Sequence, residues 1–358
     1  MKKYIAALCA AALLAGCSSS TAASTAAAST AAAATTAAAT AAAESTGSLK
    51  VGIGSTTSFS TADADGEDDG SIQVNTTYAG VALDGDVIKY VYFDIAQNKG
   101  TFNATGEITS DAAAATLTKK EKGDDYGMKK ASAIGKEWYE QAEALEKWAV
   151  GKTVNEFVNM AVTDNDGEKL ADDADLKTSC TIGVDSFLAA FQVAADNASP
   201  VTGAAKIGTG SKTTMKYTAA DGEDDGSVQS NVTYAIVALD ADGKVVYTQD
   251  DVAQESAKFT SAGVIDGDAA ETPTKMAKGD DYGMAKVSQV GEWYQQNEAF
   301  ETWTVGKTSD EISGMAVVTN DEGKTVTDDA DLKTGCTIGI SDLQGAVVTA
   351  IANAVAVD

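Results

Sequence analysis

The sequence predicts an α+β protein made of two tandem homologous domains, each a small antiparallel sheet packed with helices. Three observations predict it. First, the chain repeats itself. Asp65-Gly66-Glu67-Asp68-Asp69-Gly70-Ser71 returns as Asp221-Gly222-Glu223-Asp224-Asp225-Gly226-Ser227, and Lys122-Gly123-Asp124-Asp125-Tyr126-Gly127-Met128 as Lys278-Gly279-Asp280-Asp281-Tyr282-Gly283-Met284. The offset is 156 residues, or 155 between about Lys136 and Gly167 where the second copy lacks one lysine. A unit of this length is domain-sized, which marks a tandem duplication rather than a solenoid. Second, each copy opens with alternating β-branched and aromatic residues interrupted by Asp-Gly turns. Third, each copy then carries apolar residues at helical spacing.

The chain is 358 residues long, with 53 Asp and Glu against 26 Lys and Arg and a formal charge of −27. That field repels phosphate backbones and anionic lipid surfaces, which argues against nucleic acid as a partner. There is no histidine. This removes His-based zinc sites and catalysis of the Ser-His-Asp type.

Lys2 and Lys3 precede an apolar run from Tyr4 to Leu14, too short to span a bilayer with ease. Leu14-Ala15-Gly16-Cys17 follows. The expected layout is a signal peptide over 1–16, with Cys17 as the lipidated first residue of the mature chain. An Ala/Ser/Thr-rich tether over 17–47 comes next, then repeat one over 48–200 and repeat two over 201–358. Each buried CH₂ contributes about 0.8 kcal/mol, so two or more acyl chains hold firmly. An ordinary secretory signal with a chance cysteine is the other reading. The tether has no hydrophobic period; as a coil it spans roughly 30 Å, and stretched about 100 Å.

Within the first repeat, Val74 to Leu83, the turn Asp84-Gly85 and Val87 to Phe93 read as a hairpin. Val232 to Leu239, Asp242-Gly243 and Val245 to Thr248 do the same in the second. Gly52-x-Gly54 and Gly208-x-Gly210 lack the rest of a nucleotide loop and read as a turn or strand entry. The acidic loops at 63–70 and 221–226 have the oxygen-rich, glycine-turned look of calcium loops but neither EF-hand spacing nor a closing glutamate. Solvated turns are expected there.

A helix capped by Asp124 or Asp125 is expected from Met128, Ala131, Ile134, Trp138, Ala142, Leu145 and Trp148, stopped at Gly151. Its counterpart carries Met284, Val287, Val290, Trp293, Phe300 and Trp303 and stops at Gly306. All four tryptophans lie on these two stripes, either as core or with an edge against a flat cofactor. Thr153-x-x-Glu156 and Thr308-x-x-Glu311 are capping boxes of shorter helices. The last helices are expected over about 186–196 and 342–353, with Asp185 and Ser341 as N-caps.

Ahead of each last helix stands a seven-residue motif, Asp175-Leu176-Lys177-Thr178-Ser179-Cys180-Thr181 and Asp331-Leu332-Lys333-Thr334-Gly335-Cys336-Thr337. Each ends in a hydroxyl a few residues before a helix N-terminus, where free N–H groups and the positive dipole end favour a phosphate. Ser179 and Gly335 are small enough to let backbone come close. Cys180 and Cys336 read as small buried residues, with a mutual disulfide as the other option.

This motif resembles the flavinylation motif of FMN-binding domains in sodium-pumping and Rnf-type reductases. With the leader and the duplication, the chain is similar to the PplA-like flavinylated extracellular electron-transfer lipoproteins, which carry two tandem FMN-binding domains. The resemblance implies two FMN groups, each held by a phosphoester to threonine: Thr181 and Thr337 are the attachment positions. Asp175 and Asp331 match the motif's leading aspartate, and Thr178 with Ser179, and Thr334 with Gly335, its central pair. Leucine stands where glycine is usual, Cys180 and Cys336 stand where alanine is usual, and the first copy has Ser for Gly.

The implied partners are a flavin transferase using FAD, a membrane quinol or dehydrogenase as electron donor, extracellular electron acceptors, and the membrane itself through the lipid anchor. The implied location is the extracellular face of the cell membrane. The expected role is an electron carrier, not an enzyme, because the cofactor supplies the redox chemistry. The rival readings are a cell-surface binding or adhesion lipoprotein without flavin, and the electron-entry subunit of an extracellular reductase.

Overall fold

Each repeat begins as a long antiparallel meander. The computed structural model describes residues 48–357, so the predicted signal peptide, Cys17 and the tether lie outside the described residues. In repeat one, β1 (Leu49–Ala62), β2 (Gly70–Asp84) and β3 (Val87–Phe102) lead to α1 (Lys119–Lys122) and two 3₁₀ turns (Gly123–Tyr126 and Met128–Lys130). Then come α2 (Trp138–Ala149), α3 (Val154–Val158), the hairpin β4 (Val162–Asn165) and β5 (Glu168–Ala171), a 3₁₀ turn (Leu176–Thr178), α4 (Asp185–Asp196) and β6 (Ser199–Val201). Repeat two supplies β7 (Lys206–Thr218), β8 (Gly226–Leu239), β9 (Val245–Phe259), β10 (Ile265–Asp266), α5 (Lys275–Lys278) and α6 (Trp293–Thr304). It ends with α7 (Ser309–Ser313), β11 (Val317–Thr319), β12 (Thr325–Thr327), α8 (Ser341–Ala352) and β13 (Val355–Ala356). The main sheets run β3-β2-β1-β6 and β10-β9-β8-β7-β13, with all pairs antiparallel. The fold is therefore α+β, as expected. The first repeat extends to Val201, because β6 pairs with β1 beyond the expected boundary.

The strands are longer than their apolar runs because both sheet faces are covered. Successive side chains point to opposite faces. Ala79, Val81 and Leu83 of β2 pack with Trp138, Leu145, Phe187 and Phe191 from their own helices. Tyr78 and Ala82, at the alternate positions, pack with Tyr234, Ile236 and Ala238 of the other repeat. All described residues belong to one compact unit, so the repeats are not separate beads.

The contact between the sheets is self-complementary. The Tyr78 hydroxyl donates to Ser211 Oγ at 2.9 Å, and Tyr234 shares a 2.9 Å hydrogen bond with Ser55, the same pair with the repeats exchanged. The two tyrosine rings stack with centroids 5.7 Å apart, and Phe102 stacks on Phe259 at 3.9 Å. The latter pair is offset by 157 residues rather than the expected 156. The second hairpin places five residues between Leu239 and Val245, where the first places four between Leu83 and Ile88.

The Gly-x-Gly pairs lie inside strands, where they admit a helix. A Cβ at Gly52 or Gly54 would strike the α4 backbone at Ala194, and one at Gly208 or Gly210 the α8 backbone at Ala350. Backbone cannot yield as a side-chain tip can. Gly54→Val is therefore expected to destabilise the protein by about 3 kcal/mol, at the upper end of typical overpacking costs. Urea unfolding measures this; a loss under about 1 kcal/mol would show that the helix shifts freely.

The apolar stripe from Met128 is not a single helix: Gly127 takes φ 79°, two 3₁₀ turns intervene, and α2 starts only at Trp138. The stop before Gly151 and the capping boxes at Thr153 and Thr308 are as read. Asp185 and Ser341 are first helical residues rather than caps; Asp185 Oδ2 instead accepts the Lys169 N–H at 2.8 Å. The acidic loops close as tight turns through paired backbone bonds, Asp65 with Asp68 and Asp221 with Asp224.

Candidate functional site

Both predicted attachment threonines are held the same way. The Thr181 N–H and Oγ1 donate to Gln141 Oε1 at 2.8 and 3.0 Å; those of Thr337 donate to Gln296 Oε1 at 2.8 and 2.9 Å. Each glutamine is fully buried on its helix, α2 or α6. A buried amide needs partners for its N–H groups as well. Gln141 Nε2 donates to the Lys136 carbonyl and Ser132 Oγ at 3.2 and 3.3 Å, and Gln296 Nε2 to the Gly291 carbonyl and Ser288 Oγ at 3.0 and 3.1 Å. The glutamine thus pins the threonine to the segment ahead of the helix.

That segment is tied down in turn. The Glu137 carboxylate caps α2 and accepts the N–H groups of Met128 and Lys129 at 2.8 and 3.0 Å; Glu292 takes those of Met284 and Ala285 at 2.7 and 2.9 Å. This explains the broken stripe. The residues around Gly-Asp-Asp-Tyr-Gly-Met fold back over the helix start and bring tyrosine, methionine and tryptophan together.

In repeat two these groups line an open cleft of about 740 Å³ with Thr337 on its wall. Lys275, Tyr282, Met284, Trp293 and Asp342 also line it. The Lys275 ammonium lies 5.5 and 5.3 Å from the ring centres of Tyr282 and Trp293. Repeat one matches: Lys119 lies 5.1 and 5.2 Å from Tyr126 and Trp138. Burial lowers the Lys275 pKa to about 8 against the opposing pull of Asp251 and Asp342, and burial also lowers that of Lys119. Asp342, in the first turn of α8, is pushed up by burial. The start of α8 therefore reaches the cleft, but it brings a carboxyl as well as a dipole end.

The other motif residues serve the loop. Asp175 and Asp331 have exposed side chains, whereas the turn is capped by their neighbours two positions earlier. Asp173 Oδ1 accepts the N–H groups of Asp175 and Leu176, and Asp329 Oδ1 those of Asp331 and Leu332. Trp303 Nε1 donates to the same Asp329 oxygen at 3.1 Å, so one tryptophan of this repeat lines the cleft and the other anchors the motif. Thr178 Oγ1 donates to the Asp175 carbonyl at 2.9 Å and Ser179 Oγ to that of Leu176 at 3.1 Å, both within the loop. Thr334 is exposed. A Cβ at Gly335 would approach Ala299 of α6 to 3.2 Å, so the small residue does admit a close neighbour.

Cys180 and Cys336 are free and buried, each in the core of its own repeat, as the small-residue reading expects; the mutual disulfide is absent. Burial pushes both thiols up to about 11, so neither is a ready nucleophile. The residues the motif reading missed are Gln141 and Gln296. Their signal was a polar side chain on an otherwise apolar stripe, three positions after the tryptophan in both copies.

No known protein family matches the chain, and no solved structure matches it. A stretch of 39 residues is 56% identical to a chlorophenol reductase of Desulfitobacterium hafniense, covering 11% of this chain and 12% of that protein. The match is shorter than one repeat and transfers neither a fold nor an activity. Among the described residues, no helix is long and apolar enough to cross a membrane.

Proposed function

We propose that the chain is an electron-transfer flavoprotein, anchored through Cys17 on the extracellular face of the cell membrane, with one FMN esterified to each of Thr181 and Thr337. The observation that carries this reading is the clamped hydroxyl, set by the same buried glutamine at the same place in both repeats and, in the second, opening onto a cleft with an aromatic wall. The cleft is within the usual range for small-ligand sites, roughly 300–1,000 Å³. Its lining suits a flat, anionic group: Trp293 and Tyr282 offer apolar surface, and Lys275 a cation beside them.

FMN, when bound, takes up two electrons and releases them singly. The chain's own residues hold and tune it. Gln296 keeps the Thr337 backbone fixed through the N–H bond, which survives when Oγ1 loses its proton to esterification. Thr337 Oγ1 would hold the group as a phosphoester to the flavin-side phosphorus of FAD, with AMP as the leaving group and the hydroxyl proton released, in a reaction the flavin transferase would catalyse. Lys275 favours negative charge in the cleft, while the acidic surface disfavours it at longer range, screened by salt. Electrons pass from a membrane quinol or dehydrogenase to acceptors outside the cell.

Intact mass of protein produced together with a flavin transferase tests the proposal. Two FMN additions and yellow fluorescence that persists after denaturation are expected. Colourless, unmodified protein from such cells would favour a binding or adhesion role instead.

A further inference from the structure

The duplication provides an internal control for the core, and the two copies differ sharply at one place. In repeat one, the space between β3 and α2 holds Val91, Phe93, Ala142 and Ala149; Phe93 packs against Phe157, Phe187 and Phe191. The corresponding residues between β9 and α6 are Thr248, Asp250, Asn297 and Thr304, all buried. A single acid is common to both, Glu146 and Glu301, and each accepts the N–H of the strand residue opposite, Phe93 at 2.7 Å or Asp250 at 2.8 Å. In repeat one, Glu146 is paired with Lys120 at 2.6 Å, which offsets part of the rise in its pKa that burial causes. In repeat two, methionine 276 stands at the lysine's place, and among the described residues no cation pairs with Glu301 or Asp250.

The local balance of donors and acceptors is therefore unequal. Asn297 Nδ2 donates to Glu301 Oε1 at 3.3 Å and to the Asp250 carbonyl at 3.4 Å. Both carboxylate oxygens of Asp250, which is 0% exposed, and Asn297 Oδ1 are left buried with no donor. Three acceptors without a donor, beside a second carboxyl and with no lysine, lack positive charge or hydrogen. A proton on Asp250 supplies both, and it can be donated to an acceptor such as Asn297 Oδ1. Among the described residues, no group of three His, Cys, Asp or Glu side chains is arranged to hold a metal ion.

We propose that Asp250 and Glu301 form a proton-binding pair that closes the core of repeat two most firmly at acid pH, and progressively loosens α6 and its Gln296–Thr337 clamp as the pH rises. The clamp residue Gln296 directly precedes Asn297 on α6, so the pair and the threonine are joined through one helical turn. Every titratable group acting on the pair from the packed elements opposes its ionisation or is neutral. Asp251 of β9 and Glu298 of α6 repel it, Tyr247 faces Glu301, and the Cys336 thiol faces Asp250. Burial, the largest cause, carries Asp250 up to about 8 and raises Glu301 as well. The folded state thus keeps protons that the unfolded chain sheds above about pH 4. Stability from the pair is complete below that pH and is lost as the pH rises towards 8, with the folding constant falling up to about tenfold per pH unit for each proton held.

Hydrogen exchange of the α6 amides from pH 5 to 9, with α2 of the same molecule as reference, tests this. The α6 protection factors are expected to fall relative to those of α2 as the pH rises. Asp250→Asn with Glu301→Gln should flatten that dependence, and Met276→Lys, which restores repeat one's cation, should weaken it even if the first variant does not fold. A ratio that stays constant from pH 5 to 9 would overturn the proposal. So would recovery of α6 protection at pH 8 on adding calcium or sodium chloride, which would identify a metal cation in the proton's place. Unmodified protein serves for all arms, so the result is independent of flavin attachment.

Discussion

Thr337→Ala is expected to remove all covalent flavin from the second repeat and none from the first, with Thr181→Ala doing the reverse. The ester needs a side-chain oxygen, and within each clamp the threonine hydroxyl is the one that donates to the glutamine Oε1. Thr337→Ser keeps the oxygen and is expected to keep the flavin. The sharper variant is Gln296→Leu. It deletes the acceptor of both bonds of Thr337, an exposed residue, a net loss of about 0.5–1.5 kcal/mol per bond. If that energy positions the hydroxyl for transfer, FMN on Thr337 falls about tenfold, since 1.4 kcal/mol is a factor of ten. FMN on Thr181 stays unchanged. Peptide mass spectrometry of protein from transferase-producing cells measures both sites at once. Full flavin at the second repeat in Thr337→Ala would place the bond elsewhere, and full flavin in Gln296→Leu would reduce the clamp to a structural feature.

The parts of this arrangement that were legible from sequence are those with local causes. The duplication, the Asp-Gly hairpins, the Thr-x-x-Glu boxes and the last helices all follow from turn chemistry and periodicity, and they stand close to where they were expected. The reading failed where a distant segment decides. Met128 and Ile134 fit a helical stripe, yet Glu137 takes the Met128 N–H and folds that segment back, and nothing in a 3.6-residue period announces it. β1 has few apolar residues because its glycines face the backbone of α4 and its Ser55 meets Tyr234 of the other repeat. The candidate site divides likewise. The threonines lie in a compact local motif, but the glutamines that hold them are 40 and 41 residues away, on a helix whose apolar neighbours disguise them as an imperfection of the stripe.

The largest loss of stability is expected at the contact between the sheets, which a tandem layout alone would not require. Phe102→Ala removes a fully buried ring stacked on Phe259 at 3.9 Å, and it should cost about 3–5 kcal/mol. The pair itself contributes about 0.5–1.5 kcal/mol of this, measurable as the coupling in a double-mutant cycle with Phe259→Ala. Because Phe102 belongs to repeat one and Phe259 to repeat two, the single variant should lower the stability of both repeats in one transition. A second consequence follows from the exchange relation of the tyrosine–serine pairs. Repeat two produced alone, residues 202–358, uncovers Val232, Tyr234, Ile236 and Ala238 on one sheet face, and Ser211 then lies free to meet Tyr234 of another copy. Such a self-complementary patch closes with two-fold symmetry. The fragment is therefore expected to sediment as a dimer at micromolar concentration and to fall apart on Tyr234→Asp. A monomeric fragment as stable as the whole protein would mean that the two sheets merely touch, and that each repeat closes its core unaided.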